Sequence, residues 1–180
     1  MSFSWSSAVV GAATAVATQA LLASVPKDPI FHLVSIKLTS LKLNLPFSDA
    51  EVIMTIHVTN PNNVPISYNS TILSIFYEGS LIGTADVKAG SQSAKSCQLL
   101  QLPATLKSKE FAHHASKFLA DVARREMVMN ATVDIEGVAK VLVYKHRFRC
   151  HVKSRVIVDP VMFDVIEQEN KAEMDLLVID

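Results

Sequence analysis

Alternating apolar and polar residues dominate the chain from Ile30 onward, and they predict β-strands. The clearest run covers residues 52–58, where a period of two indicates a strand with one buried side. Its apolar positions are Val52, Met54, Ile56 and Val58. Asn60-Pro61 ends this strand because proline lacks the N–H that a strand ladder needs, and a second strand begins at Ile66.

The same period predicts further strands along the rest of the chain. The runs are residues 36–45, 70–77, 81–87, 94–102, 127–136 and 141–152. Within the first of them the alternation breaks near Thr39-Ser40, which is typical of a β-bulge or of a strand that changes partner.

A single helix is predicted between the strands. Ser108 has the side chain of an N-cap, because its hydroxyl can accept a hydrogen bond from a free backbone N–H. The apolar residues that follow recur at helical spacing and define one buried face. They are Phe111, Ala115, Phe118, Leu119 and Val122, with Asp121 on the other side.

These elements predict a mainly β fold, an antiparallel immunoglobulin- or fibronectin-III-like β-sandwich of about seven strands with one α-helix. We expect a hydrophobic helix to precede the sandwich, and we divide the chain into three parts. Residues 1–26 are the hydrophobic N-terminal segment, residues 29–159 the β-sandwich domain, and residues 160–180 an acidic C-terminal extension.

The N-terminal segment has no charged residue before Lys27, and such a run is long enough to span a bilayer. Three interpretations compete. An uncleaved signal anchor would make the protein single-pass, in the plasma membrane or an endomembrane. A cleaved signal peptide would use Thr18-Gln19-Ala20, although no basic residue precedes the apolar run. An organellar targeting segment would direct the chain to an organellar envelope, although the usual arginines are missing.

The composition limits which partners and which kinds of chemical site are expected. Seventeen basic and seventeen acidic residues give no net charge, so no nucleic-acid partner is expected. The two cysteines, Cys97 and Cys150, do not form a disulfide framework and are expected to be buried free thiols, with a single bridge as the alternative. We expect no catalytic residue, no cofactor and no metal ligand, because nucleophile, phosphate-loop and metal motifs are missing and adjacent His113-His114 diverge on a helix.

One cluster of charge suggests a binding surface. Lys145, Arg147, Arg149, His151, Lys153 and Arg155 are all odd-numbered, so a strand places them on one face. This basic stripe would suit anionic lipid or another acidic partner, and the alternative is a solvated outer face. Residues 160–180 offer a third outcome, because their acidic side chains would fold over the stripe.

Two sequons, at Asn69 and Asn130, are candidate N-glycosylation sites if the domain faces a lumen.

The motifs N-P-N at 60–62 and I-S-Y at 66–68, with Y-E-G at 77–79 and L-I-G at 81–83, resemble those of the late embryogenesis abundant group 2 family. Its domain is also called the water-stress and hypersensitive-response (WHy) domain. The resemblance implies the sandwich with a helix before its last two strands. It also implies a non-enzymatic plant protein linked to desiccation stress or defence response. Two functions follow: a membrane-held binding module, or alternatively a lipid-binding or lipid-transfer domain with an apolar groove.

Overall fold

The computed structural model describes residues 27–44, 47–141 and 144–177, and the expected N-terminal helix at residues 1–26 lies outside them. The described residues form ten strands and two short helices. The strands are β1 Ile30–Asn44, β2 Phe47–Asn60, β3 Ile66–Tyr68, β4 Thr71–Tyr77, β5 Ser80–Val87, β6 Gly90–Gln92, β7 Ser96–Leu106, β8 Met127–Val141, β9 Tyr144–Val158 and β10 Val165–Leu177. The helices are α1 Ser108–Ala112 and α2 Ala115–Arg124.

All ten strands join one antiparallel sheet that curls around a shared core. Its order is β1-β2-β7-β5-β4-β8, and β8 also pairs with β9, which pairs with β10. One edge of β8 pairs first with β4 and then, nearer its end, with β3. The mainly β, antiparallel prediction is therefore confirmed. The count of about seven strands was too low, and one continuous sheet replaces the expected pair of separate sheets.

The strand pattern read from the sequence matches the structure closely. Val52, Met54 and Val58 are buried on β2, and the register of β1 against β2 shifts between Leu38 and Ser40, where a bulge was expected. The N-P-N turn is held by Asn60, which is fully buried and whose Nδ2 donates to two backbone carbonyl oxygens.

The predicted helix is the main local error. A break at His113-His114 divides it into α1 and α2. The buried face of α2 also differs from the expected one, because Leu119 is 66% exposed, whereas Asp121, which we expected on the outer side, is fully buried.

The cap of α1 was also predicted wrongly. Lys107 rather than Ser108 occupies the N-cap position, and it makes no side-chain capping bond. The Ser108 backbone N–H instead donates to Asp49 Oδ1 at 3.1 Å, and within the described residues its buried hydroxyl has no hydrogen-bond partner.

The two ends of the sheet, β1 and β10, meet without a backbone ladder between them. Gln168 of β10 bridges the gap with its amide, accepting from Leu33 N–H and donating to Leu33 O, both at 2.8 Å. Asn170 donates to Phe31 O at 2.9 Å in the same way. Side-chain amides thus replace the backbone pairing that would otherwise close the sheet, and they satisfy the exposed edge of β1.

Candidate functional site

The predicted basic stripe lies on the outer side of β9. Lys145, Arg147, Arg149, Lys153 and Arg155 are exposed and His151 is half-buried. Between them, Phe148, Cys150 and Val152 point into the core. The structure therefore brings all six basic residues onto one outer face of the sheet.

Acidic side chains on β8 contact the middle of the stripe. Arg149 Nη2 lies 2.6 Å from Glu136 Oε1, and His151 Nδ1 lies 2.7 Å from Asp134 Oδ1. The hydrogen bond to Glu136 raises the pKa of Arg149, with the charge of Glu136 adding to the effect. The centre of the stripe is thus already engaged by carboxylates of the same chain.

Acidic residues on β10 lie along the other side of the stripe. The C-terminal segment was expected to fold over it, but residues 165–177 instead pair with β9 as the neighbouring strand of the sheet. The cross-strand pairs are Glu169 with Arg155, Glu173 with His151, and Asp175 with Arg149. Because directly opposite residues on one face lie close together, these pairs partly neutralise the positive charge of Arg149, His151 and Arg155.

Two parts of the stripe have no carboxylate directly opposite them: Lys153, which lies between Thr132 and Lys171, and the end of β9 that follows the β8–β9 hairpin. Lys145 lies opposite Lys140, and Arg147 lies opposite Val138 on one side and Leu177 on the other. Neither register position brings a carboxylate to these two residues. Of the predicted stripe, Lys145 and Arg147 are the members best placed to meet an outside anion.

A buried carboxylate on α2 is the strongest polar site that the sequence interpretation missed. Asp121 Oδ2 accepts a hydrogen bond of 2.8 Å from the Tyr77 hydroxyl, and Tyr77 is fully buried. Lys117 and Arg124 reach Asp121 from the same helix, with contacts of 2.6 and 2.5 Å. The signal in the sequence was the pair of cations at i−4 and i+3, which flank one carboxylate on one helical face.

The charge environment of this site favours the ionised form of Asp121. Burial raises the pKa of Asp121, but the hydrogen bonds from Lys117, Tyr77 and Arg124 outweigh it, and the net pKa lies below the ordinary value. Burial first, and then the hydrogen bond to Asp121, raise the pKa of Tyr77. The ring of Tyr77 also packs against Phe111 and Phe118, at centroid distances of 5.4 and 6.4 Å. The group therefore fastens both helices to the sheet, and the Asp121 carboxylate at its centre is buried rather than open to a cleft.

The remaining residues considered for chemistry lie apart from one another. Both cysteines are free, as expected, but Cys97 is exposed rather than buried. Burial raises the pKa of Cys150 to about 12, so this thiol is unreactive at neutral pH. His113 is exposed, and His114 Nε2 lies 2.9 Å from Ser80 Oγ. In the described part of the chain, no three His, Cys, Asp or Glu side chains are grouped to hold a metal ion.

The interior enclosed by the curled sheet is nearly filled. One apolar cavity of about 60 Å³ lies among Phe31, Ile56, Leu100 and Phe148, and a second of about 40 Å³ lies further along the core. Pockets for drug-sized ligands usually measure about 300–1,000 Å³. A larger concavity of about 730 Å³ is an open groove on the outer surface, lined mostly by polar residues.

The two sequon asparagines are both exposed. Asn69 follows β3, and Asn130 lies on the outer face of β8. The hydroxyl of Thr71, the third residue of the first sequon, donates to Asp134 O at 2.7 Å. Glycosylation of either asparagine remains a prediction.

No helix within residues 27–44, 47–141 and 144–177 is both long and apolar enough to cross a bilayer. The predicted membrane segment, residues 1–26, lies outside these residues.

The family model described as late embryogenesis abundant protein matches residues 55–156, more than half of the chain. The matched segment runs from the middle of β2 to near the end of β9 and includes both helices. A comparison with curated protein sequences gives no significant match.

Three solved structures are distantly similar to this chain. A crystal structure of an Archaeoglobus fulgidus protein has 12% identity and a TM-score of 0.34, covering 82% of this chain and 99% of that one. A solution structure of an Arabidopsis thaliana protein has 17% identity and a TM-score of 0.37, covering 83% and 84%. A solution structure of a proposed late embryogenesis abundant protein has 13% identity and a TM-score of 0.33, covering 96% and 85%. At TM-scores this low, the similarities support no conclusion about function.

Proposed function

We propose that this chain, which belongs to the late embryogenesis abundant protein family, is a non-enzymatic binding module held at a membrane by residues 1–26. Members of the family are generally non-enzymatic stress proteins, and this chain is accordingly a stress-related protein of the same type. In a plant, the role implied by the motifs is in desiccation or defence. The proposed location is a single-pass protein of the plasma membrane or an endomembrane, with an organellar envelope as the alternative.

The observation that carries the proposal is the change in sequence character at Lys27. The chain has no charged residue in its first 26 positions and then passes within three residues into strand β1. About twenty consecutive uncharged, largely apolar residues suffice to cross a bilayer as a helix. Residues 1–26 meet that length, and the strands that follow enclose a hydrophobic core.

The organisation of the core supports a role in binding rather than in catalysis. In the described residues the strongly perturbed groups, Tyr77, Asp121 and Cys150, are buried within packed structure and lie outside any open cleft. An enzyme would need such groups within reach of a bound substrate. A partner would instead meet the outer strand faces, above all the cationic residues near the β8–β9 hairpin.

Alkaline carbonate extraction of membranes from cells that express the full-length chain tests the anchor. We expect the protein in the pellet, because a spanning segment is not released by high pH. Protease treatment of the intact vesicles and glycosidase treatment after detergent then show the side of the domain, since glycans at Asn69 or Asn130 form only on a lumenal domain, which intact vesicles protect from protease. Full-length protein in the carbonate supernatant would overturn the anchored module.

A lipid-binding or lipid-transfer groove is the second candidate. It is favoured by the apolar cavity beside β1, close to the junction where side-chain amides rather than a ladder connect β1 to β10. A cavity of about 60 Å³ has no room for an acyl chain, so β1 and β10 would have to separate for a lipid to enter. Native mass spectrometry of the purified full-length protein would detect a bound lipid as added mass. A spectrum that shows only the mass of the protein itself would exclude this function.

A further inference from the structure

The end of the domain at which residue 27 joins β1 gathers cations from three separate parts of the chain. They are Lys27, Lys95, Lys140, Lys145 and Arg147, which we call the basic end. All five side chains are exposed. The basic stripe includes only the last two, so sequence periodicity alone does not reveal this group.

Contacts around the N-P-N turn bring the first two cations together. The Lys27 backbone N–H donates to Asn62 Oδ1 at 2.7 Å, and Asn62 Nδ2 donates back to Lys27 O at 2.8 Å. Lys95 N–H donates to Asn62 O at 2.9 Å. Both lysines are therefore fixed to the same short loop.

The β8–β9 hairpin brings the other three cations to the same end. Lys140 N–H donates to Pro65 O at 3.2 Å, which places the hairpin against the segment that follows the N-P-N turn. Lys145 lies directly opposite Lys140, and Arg147 is the next outward residue along β9. Among residues 27–44, 47–141 and 144–177, the acidic residues at this end are Asp28, whose Oδ1 accepts from Met174 N–H, and Asp175, which pairs with Arg149, two positions along β9 from Arg147. Within these ranges, positive charge is thus in excess.

The opposite end of the molecule differs in how its cations are paired. Lys117 and Arg124 contact the buried Asp121, and Arg125 Nη2 lies 2.6 Å from Asp159 Oδ2. Lys117 also lies 3.6 Å from Glu78. Lys117, Arg124 and Arg125 are therefore matched with carboxylates of the same chain, in contrast to the excess at the basic end.

We propose that the basic end is a docking surface for the acidic headgroups of the membrane in which residues 1–26 are inserted. This inference rests on the proposed function, because insertion of that segment would bring Lys27 and its neighbours to the lipid surface. Each basic residue near an acidic bilayer contributes about 1 kcal/mol, roughly fivefold in binding. Several such residues would hold the domain in one orientation, with the basic end against the membrane, and would restrict its rotation about the linker to residues 1–26.

Cys97 provides a native reporter for this orientation. It is exposed, it is the second residue of β7, and it lies two positions from Lys95. The only other thiol, Cys150, is buried and protonated, so a fluorescent maleimide at neutral pH labels Cys97. The labelled full-length chain would be reconstituted into vesicles of phosphatidylcholine, with and without one third phosphatidylserine. Both vesicles would contain lipid that carries a quencher on its headgroup.

We expect stronger quenching in the vesicles with phosphatidylserine, and loss of the difference in high salt, because the Debye length falls to about 3 Å at 1 M. The variant Lys27→Gln, Lys140→Gln, Lys145→Gln should show the quenching of neutral vesicles. Its melting temperature should be unchanged because the three side chains are exposed. The matched control, Lys107→Gln, Lys109→Gln, Arg155→Gln, removes the same charge from the other part of the domain and should behave like the wild type.

Equal quenching of the wild type in both vesicles would overturn the docking surface. The same conclusion follows if the control loses as much quenching as the basic-end variant. A response to soluble polyglutamate without any response to phosphatidylserine would assign the surface to an acidic protein and overturn the lipid proposal. A chain that fails to float with either vesicle would contradict the membrane anchor itself, which separates failure of the proposed function from failure of this inference.

Discussion

The contact between Tyr77 and Asp121 shows how hydrogen bonds and nearby cations can offset the free-energy cost of burying a carboxylate. A carboxylate without partners would lose several kcal/mol on leaving water, but this one accepts from a tyrosine and contacts two cations. The side chains of those cations remain 43% and 61% exposed, so both stay partly hydrated. The arrangement fixes α2 on the sheet because the hydrogen bonds to Asp121 together outweigh the effect of its burial.

We expect Tyr77→Phe and Asp121→Asn each to lower the free energy of unfolding by about 1–3 kcal/mol, because each removes a charge-assisted hydrogen bond in a buried site. The double variant should lose less than the sum, with a coupling of about 1 kcal/mol or more. Urea unfolding of the four proteins measures the cycle. Strict additivity would show that the hydrogen bond contributes no coupling.

The depressed pKa of Asp121 adds a pH signature to the same cycle. Its folded pKa lies below the ordinary value of 3.8, so the stabilisation is complete above about pH 4 and is lost as the pH falls through the folded pKa. The wild type should therefore lose stability more steeply than Asp121→Asn in acid. Parallel curves between about pH 2 and 4 would contradict this assignment.

At the scale of elements, the strands were predictable and the helical face was not. Strand alternation is a local property, so Met127, Met129 and Val133 could be assigned to the core of β8 without knowing the neighbouring strands. The apolar period did not predict which face of α2 is buried, nor the break at His113-His114. Asp121 was misplaced for a related reason, since its burial requires Tyr77, 44 residues away.

Adjacent residues of α2 allow a matched test of its true orientation. Phe118 packs against Tyr77 and Phe111, whereas Leu119 is 66% exposed. We expect Phe118→Asp to destabilise the protein by several kcal/mol, because it buries an unpaired charge. Leu119→Asp should change stability by no more than about 0.5 kcal/mol. Chemical denaturation of the two variants would reveal a helix facing the other way if the larger loss fell on Leu119→Asp.

At the scale of the whole molecule, the closing of the sheet could not be predicted from sequence. Residues 165–177 contain charges at every exposed odd position from Glu167 to Asp175, together with inward polar residues such as Gln168 and Asn170. This composition is typical of a solvated tail, and only the structure shows that the two amides meet the backbone of β1. The basic end could not be predicted from the sequence either, because Lys27, Lys95 and Lys140 are brought to the same end by loop contacts between distant segments.

The closure predicts that the C-terminal segment is part of the fold and not a removable cover. If residues 160–180 only shielded the basic stripe, deleting them would leave a stable domain that bound acidic vesicles more tightly.

In the structure, β10 instead pairs with β9 from Val165 to Leu177, and Ala172 and Met174 pack against the core. Its loss would expose the full edge of β9 and remove the hydrogen bonds between the side-chain amides of β10 and the backbone of Phe31 and Leu33. Two long unpaired strand edges would remain, and such edges are prone to association. We therefore expect a chain that ends at Asp159 to aggregate or to lose its cooperative thermal transition, as judged by light scattering and circular dichroism. Substituting Glu169, Glu173 and Asp175 with glutamine in the full-length chain is the control: it removes the opposing charge, retains the strand, and should leave a cooperative transition. A cooperatively melting, monomeric chain ending at Asp159 would show that β10 is dispensable.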